Sequence, residues 1–600
     1  MQYRCNPMNL EYRYQFFKKQ PEKDDLCEIH REAADPSLIF FKGKYYLFPS
    51  MSGGFYTSED LADWEFHEFN NEMPIYDYAP DVRVIGEYIY FSASKAEGIC
   101  SFYRSADPVN DVFEEIPGTF TFWDPNLFLD DDGRLYFYWG CSNMEPVYGT
   151  EVDPVTLKPL GEKKVIVAAD SENIGFERVG EDHIPEKSDE EVEAMIEAMI
   201  ANAPEGQVVD ENLKRQLHGW FGNNPYVEGA WMTKHDGRYY LQFATPGTEY
   251  NTYADGVYVG ESPLGPFKLA KNNPFSYKPG GFACGAGHGS TMEDINGNLW
   301  HASTMRISNN HNFERRVGIW KAGFDEDGEL FCDQRYGDWP YAMDAKPWDK
   351  PDFMLLSYGK NVEASSGDNV SCVTDENIKT YWQADSNSME EYLCIDLGQE
   401  MDIRAIQVNF NDNWSQYPEE YMSFSFNGQA YRAISKQRHT TGFLLEAAGD
   451  DKVYETIWDT RYDHTDLSHD FHVWEDGISY RYIRISHMSL PYGQNPCVSG
   501  IRVFGHGTGE PPRQAENVET ILLAEEPMNA IDMEVRFSCE NCVGANILWG
   551  YAEDKLYHSY MIFGKSSQTI RALVKGEPIY VRVDTFNECG ITEGKAINVR

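Results

Sequence analysis

Three carboxylic acids stand in similar settings far apart in this 600-residue chain: Asp35 in ADPS, Asp124 in WDPNLF and Glu228 in VEGAWM. Two carboxyls can break an acetal bond, one ionised to take a proton from water and one protonated to give a proton to the leaving oxygen. A third carboxylate close to the acid raises its pKa by like-charge repulsion and helps to orient it. Asp35, Asp124 and Glu228 can fill these roles, and the sequence leaves open which takes which. A lone Asp-Pro is more often a turn residue, so the chemistry depends on a larger architecture that gathers these positions.

Internal repetition supplies that architecture. Units begin DPSLIFFKGKYYLFPS at Asp35, APDVRVIGEYIYFSAS at Ala79, DPNLFLDDDGRLYFYWG at Asp124, EGAWMTKHDGRYYLQFAT at Glu228 and GHGSTMEDINGNLWHAST at Gly287. Each joins an apolar strand to an aromatic-rich strand through a tight turn bearing Gly, usually with a third strand after it. Five four-stranded blades predict a β-propeller over residues 1–345, its innermost strands facing a central channel. The repeat alignment puts Asp35, Asp81, Asp124, Glu228 and His288 in one register at one end of that channel. Like charges gathered there cost energy unless function requires them.

An insertion at about 171–222 separates the third and fourth blades. Its SDEEVEAMIEAMIANA has a Ser-x-x-Glu start and apolar residues at helical spacing, which predicts a helix overhanging the channel mouth. Residues 351–508 then alternate strands and loops as a β-sandwich does, and 511–600, after the Pro-rich joint GEPPRQAENVE, read as a second, smaller sandwich. The fold class expected is all-β, a five-bladed propeller followed by two sandwiches.

The 97 acidic against 51 basic residues leave a formal charge of −46, which repels nucleic-acid phosphates and anionic membranes and favours a neutral ligand. Aromatic residues, 14% of the chain, offer the flat apolar faces against which sugar rings stack. The N-terminus MQYRCNPMNLEYRYQFFKKQ has no basic segment leading into an apolar one, and no run of about 18 apolar residues occurs. The expectation is a soluble, cytoplasmic, bacterial-type protein. Twelve cysteines without regular spacing suit reduced thiols, and the close pair Cys539 and Cys542 reads as structural.

ADPS, WDPNLF, VEGAWM and AGHGS, in that order over about half of the chain, resemble the signature of family 43 glycoside hydrolases, inverting enzymes built on a five-bladed propeller. The resemblance implies that Asp35 is the general base, Glu228 the general acid and Asp124 the modulator of the acid's pKa. It implies an oligosaccharide substrate derived from plant polysaccharide, exo-acting removal of terminal α-L-arabinofuranosyl or β-D-xylosyl residues, and chemistry that requires no cofactor. It further implies that Arg316 in FERRVGIW, with Arg315 beside it, contacts a substrate hydroxyl. His288 would face a structural calcium ion held largely through water, since calcium prefers oxygen ligands. Trp64, Trp139, Trp220, Phe221 and Tyr250, close to the motifs, are expected to close the pocket. Residues 351–508 resemble a discoidin-like carbohydrate-binding sandwich through GKNVEASS, YWQA and the YIRIS…VSGIRVFG end, and 511–600 resemble a fibronectin type III domain. The rival readings are an exo-β-galactanase or galactofuranosidase of the same fold, and a non-catalytic propeller lectin, which would have no reason to keep three such carboxyls together.

Overall fold

The computed structural model describes residues 2–18, 27–71, 73, 79–95, 98–181, 184–202, 210–309, 311–413 and 432–600. Five antiparallel sheets follow one another along the chain, each of four strands except the fourth, which adds Ser276–Tyr277, and each is led by an inner strand: Ala34–Phe41, Asp81–Ile85, Asn126–Leu129, Glu228–His235 and Cys284–Glu293. Each inner strand packs against the next, and the fifth packs against the first, so the ring closes. The KG, DG and NG turns expected from the sequence join first to second strands in the first, fourth and fifth sheets.

Each blade enters the ring through a residue in the left-handed region: Asp35 (φ 47°), Ala79 (60°), Asp124 (48°), Gly229 (62°) and His288 (51°). Two residues further on, a side chain pins the neighbouring blade. Ser37 Oγ accepts from the Val82 N–H at 3.1 Å, Asp81 Oδ2 from Leu127 at 2.7 Å, Asn126 Oδ1 from Met232 at 2.9 Å and Ser290 Oγ from Leu38 at 2.9 Å, while the Trp231 indole donates to Thr291 O at 3.2 Å. These five pins replace the main-chain hydrogen bonds that separate sheets cannot share.

The pins correct the register read from the sequence. Ala79, not Asp81, is the counterpart of Asp35; Asp81 is a pin, and burial pushes its carboxyl up to about 6 against the pull of Arg83 and its two donors. Glu228 stands one residue before the left-handed position, which Gly229 holds. Bulges between Ala34 and Ser37, Glu228 and Trp231, and Gly287 and Ser290 aim these strand starts toward the channel.

The insertion carries two helices. The first, α1 (Asp189–Ala201), starts in the expected capping box, Ser188 exchanging hydrogen bonds with Glu191. The second, α2 (Glu211–Phe221), is capped by Asp210 and packs Leu217 and Phe221 against Val192 and Ile196 of α1. Upstream, Gly175 N donates to Leu573 O at 2.8 Å, tying the insertion to the C-terminal sandwich.

The second region winds two long strands, Tyr392–Phe410 and His469–Ser489, around a core of Trp382, Ile395, Phe410, Phe443 and Ile485. The third sets a three-stranded sheet against a five-stranded one and shares a core with the propeller, Trp549 and Tyr560 meeting Tyr277 and Met232. Cys539 and Cys542 are joined as a disulfide, a departure from the reduced state expected of them. An N-terminal strand, Arg13–Lys18, pairs with Cys27–Glu32 on one side and with Arg432–Ile434 of the second region on the other. Among the described residues, no helix is long and apolar enough to cross a membrane.

Candidate active site

The ring brings Asp35, Asp124, Glu228 and His288 to one buried pocket. The Asp35 N–H donates to Thr304 Oγ1 at 2.8 Å, fixing the strained backbone, and its carboxylate accepts from Ser50 Oγ at 2.8 Å and Arg315 Nη1 at 3.2 Å. Burial alone would raise this carboxyl, but Arg315, His288 and the hydroxyls of Ser50 and Thr304 outweigh it and hold Asp35 below its ordinary value. Asp35 is therefore an ionised acceptor.

Asp124 lies in the opposite electrostatic setting. Its N–H donates to Ser94 Oγ at 3.0 Å, and burial, followed by the charges of Glu228 and Asp35, pushes its carboxyl up to about 7 despite His288 and the Cys141 thiol. The Glu228 carboxyl accepts from the Tyr253 hydroxyl at 2.5 Å and from Cys141 Sγ at 3.0 Å. Burial and the adjacent carboxylates push both the Tyr253 hydroxyl and the Cys141 thiol well above their ordinary values, so each stays a neutral donor. Asp124, Cys141 and Glu228 all place polar atoms within 4.8 Å of one another. The pocket thus sets a carboxylate held ionised, Asp35, against a carboxyl pushed up to about 7, Asp124, with Glu228 beside it.

His288 Nδ1 is 3.7 Å from both Asp35 Oδ1 and Asp124 Oδ2. Burial lowers its pKa, yet Asp35, Asp124 and Glu228 together lift it above the usual imidazole value. A histidine drawn toward imidazolium, with Arg315 already on Asp35, supplies the positive charge that a calcium ion would bring. The acid–base chemistry open to the three carboxyls needs no ion. Gly229 is required beside it: a Cβ there would stand 2.8 Å from the His288 ring.

Arg315 rather than Arg316 reaches the pocket. Arg315 Nη2 donates to Glu32 Oε1 at 2.6 Å, and Nη1 donates to Thr248 Oγ1 at 3.2 Å as well as to Asp35. Arg316 is fully buried on the far face of the same strand, bonded to His469 Nε2 at 2.9 Å, so it is corrected from a substrate contact to an internal anchor. The aromatic residues expected around the pocket divide. Tyr250 is buried in the 247–253 segment that supplies Thr248 and Tyr253. Trp220, 52% exposed, and Phe221 end α2, whose Gly219 O accepts from Asn143 Nδ2 at 2.8 Å, two residues after Cys141. Trp139 stacks among Phe120, Phe137 and Tyr148 and is inter-blade packing. Trp64 packs at the outer end of the first blade and lines a cavity of about 270 Å³ with Gln2, Asn9 and Phe471, away from the carboxyls. Cys141, Tyr253, Ser50 and Glu32 are pocket residues that no motif marked.

Residues 29–180 and 185–330 match the family model for glycosyl hydrolases family 43. The beta-xylosidase of Xylanibacter ruminicola is 27% identical over 257 residues, which are 42% of this chain and 59% of that protein's length. The beta-D-galactofuranosidase xynD of Aspergillus niger is 24% identical over 335 residues, 50% of this chain and 81% of its own. Xylosidase/arabinosidase 43A of Humicola insolens is 27% identical over 283 residues, 39% of this chain and 77% of its own. The family match runs through all five blades and breaks only at the insertion, and with the ring and its carboxyls in place the chain belongs to glycosyl hydrolases family 43.

Proposed function

We propose that this protein is an exo-acting glycosidase that removes terminal α-L-arabinofuranosyl or β-D-xylosyl residues from oligosaccharides with inversion at the anomeric carbon. The observation that carries the reading is the contrast between two sides of one pocket, Asp35 held ionised and Asp124, next to Glu228, pushed up to about 7. In this mechanism Asp35 takes a proton from a water molecule as that water attacks the anomeric carbon. Glu228, held by Tyr253 and Cys141, protonates the departing oxygen, and Asp124 beside it acts as the modulator of that acid. The xylosidase and arabinosidase names of relatives support the sugar class, and the docking of α2 on the loop after Cys141, close to Glu228, is consistent with cleavage at a chain end. The two C-terminal regions, resembling discoidin-like and fibronectin type III domains, act in this reading as braces. Trp382 fits that role, being fully buried with its indole donating to Ser366 O at 2.8 Å.

Release of nitrophenol from aryl α-L-arabinofuranoside, β-D-xyloside, β-D-galactoside and β-D-galactofuranoside tests the proposal. Hydrolysis of the first or second, with xylo- or arabino-oligosaccharides shortened one residue at a time, is the expected result. Hydrolysis of the galactofuranoside alone would move the reading to the activity named for the Aspergillus relative, and silence across the panel with intact glycan binding would favour the lectin.

The pH dependence has a definite sign. Asp35 is depressed, so activity is lost as pH falls through its pKa; Asp124, pushed up to about 7, loses its proton near that pH, so activity declines above that point. Arg315→Met removes the main charge holding Asp35 down. The acidic limb of kcat/KM is expected to move up by about one pH unit or more, while the basic limb stays within a few tenths of a unit. An acidic limb at its wild-type position would show that Arg315 does not govern the base.

A further inference from the structure

Behind Arg315 lies a buried charged cluster that the proposed reaction does not use. Arg31 is paired with Asp412 at 2.6 Å and Asp466 at 2.8 Å, and the Tyr14 hydroxyl donates to Asp412 at 3.0 Å. Arg316 donates to His469 Nε2 at 2.9 Å and to Arg31 O at 2.8 Å, and stands 3.7 Å from Glu314. His469 Nδ1 meets Asn409 Oδ1 at 2.8 Å. Arg31, Arg316, Asp412 and His469 are all fully buried. Apolar residues of similar volume commonly stabilise a fold as well as a buried ion cluster does, so its position is the informative fact.

Asp412, Asp466, His469 and Asn409 belong to the second region; Arg31 and Arg316 belong to the propeller side. Arg31 is adjacent to Glu32 on the strand Cys27–Glu32, and Arg316 is adjacent to Arg315 on the strand Arg315–Phe324. Successive side chains of a strand point to opposite faces. One face thus carries Glu32 and Arg315 to Asp35, while the other carries Arg31 and Arg316 into the second region. The two strands meet directly, Ala33 N donating to Arg315 O at 3.2 Å.

We propose that the second region is a positioning element of the hydrolytic site: Asp412 and His469 clamp Arg31 and Arg316 from behind and so hold the Glu32–Arg315–Asp35 chain in register. The inference rests on the glycosidase reading for its kinetic consequence, and on geometry alone for the clamp.

His469 is the residue to change. Burial, with Arg316 and Arg31 close by, drives its pKa well below the usual imidazole value, so His469→Leu removes a hydrogen-bond acceptor without removing a charge. His469→Gln restores an acceptor, and Arg316→Lys keeps the charge but cannot hold both His469 and Arg31 O should the leucine variant fail to fold. Asp35 is faced by Arg315, His288, Asp124 and Tyr253 and by the Ser50 and Thr304 hydroxyls; of these, Arg315 alone neighbours a residue anchored in the second region. The expected result for His469→Leu is an acidic limb of kcat/KM raised by about one pH unit and a fall of about tenfold at the optimum, with His469→Gln close to wild type. A second readout needs no turnover. With Arg315 displaced, Asp35 acts on His288 with less compensation, so the His288 titration, followed by NMR in protein with nitrogen-labelled histidine, should move to higher pH. An unshifted His288 titration in folded His469→Leu and Arg316→Lys protein overturns the clamp. Absence of turnover in the wild type with the His288 shift present would refute the glycosidase reading alone.

Discussion

Replacing Glu228 by Gln is expected to lower kcat/KM by about a thousandfold on a xyloside or arabinofuranoside with a poorly acidic leaving group, and by far less on the dinitrophenyl glycoside of the same sugar. The amide can still accept from Tyr253 but has no proton to deliver. A dinitrophenolate departs without protonation, so the missing acid matters little to it. The comparison separates the acid from a residue that merely shapes the pocket. A uniform loss across both leaving groups would deny Glu228 the acid role and shift attention to Asp124, the neighbouring carboxyl pushed up to about 7.

Asp35→Asn is expected to behave differently, losing about a thousandfold or more with both leaving groups. Asparagine cannot take a proton from water, and water remains the nucleophile whatever the leaving group. The fold should tolerate the change: Asn can accept from Ser50 and Thr304, and Arg315 keeps Glu32 and Thr248. Thermal unfolding of the variant therefore serves as a control. Retention of activity within about tenfold of wild type in a folded Asp35→Asn protein would remove the base from this account.

The blades were legible because each repeats a local signal, a Gly turn between an apolar and an aromatic strand, and local signals survive in a single chain. The insertion's first helix was legible through its capping box at Ser188 and Glu191. The second carries a weaker signal, Asp210 before Leu213, Leu217 and Phe221 at helical spacing among polar residues. Register within the strand starts was not legible. Bulges add a residue at the inner-strand starts of the first, fourth and fifth blades, whereas the second pairs Asp81 with Ser92 without one, and no pattern in the sequence announces which starts are bulged.

Pairs of neighbours on strands show the same limit. Arg315 and Arg316 have identical chemistry, and which faces the pocket depends on pleat parity set by Glu32, 283 positions away, and His469, 153 positions away. Cys141 and Tyr253 reach Glu228 across 87 and 25 positions. Trp139 and Trp64 illustrate the converse: nearness to a motif in sequence placed one between blades and the other at the propeller's outer edge.

The most direct test of the proposed mechanism is the configuration of the sugar at the moment of release, followed by proton NMR during the first minutes of hydrolysis. If Asp35 activates water opposite the leaving group that Glu228 protonates, a β-D-xyloside yields α-xylose first, and an α-L-arabinofuranoside yields the β anomer first. Initial appearance of the retained anomer would mean that a carboxylate attacks the sugar itself, and would contradict the assignment of Asp35 as a base.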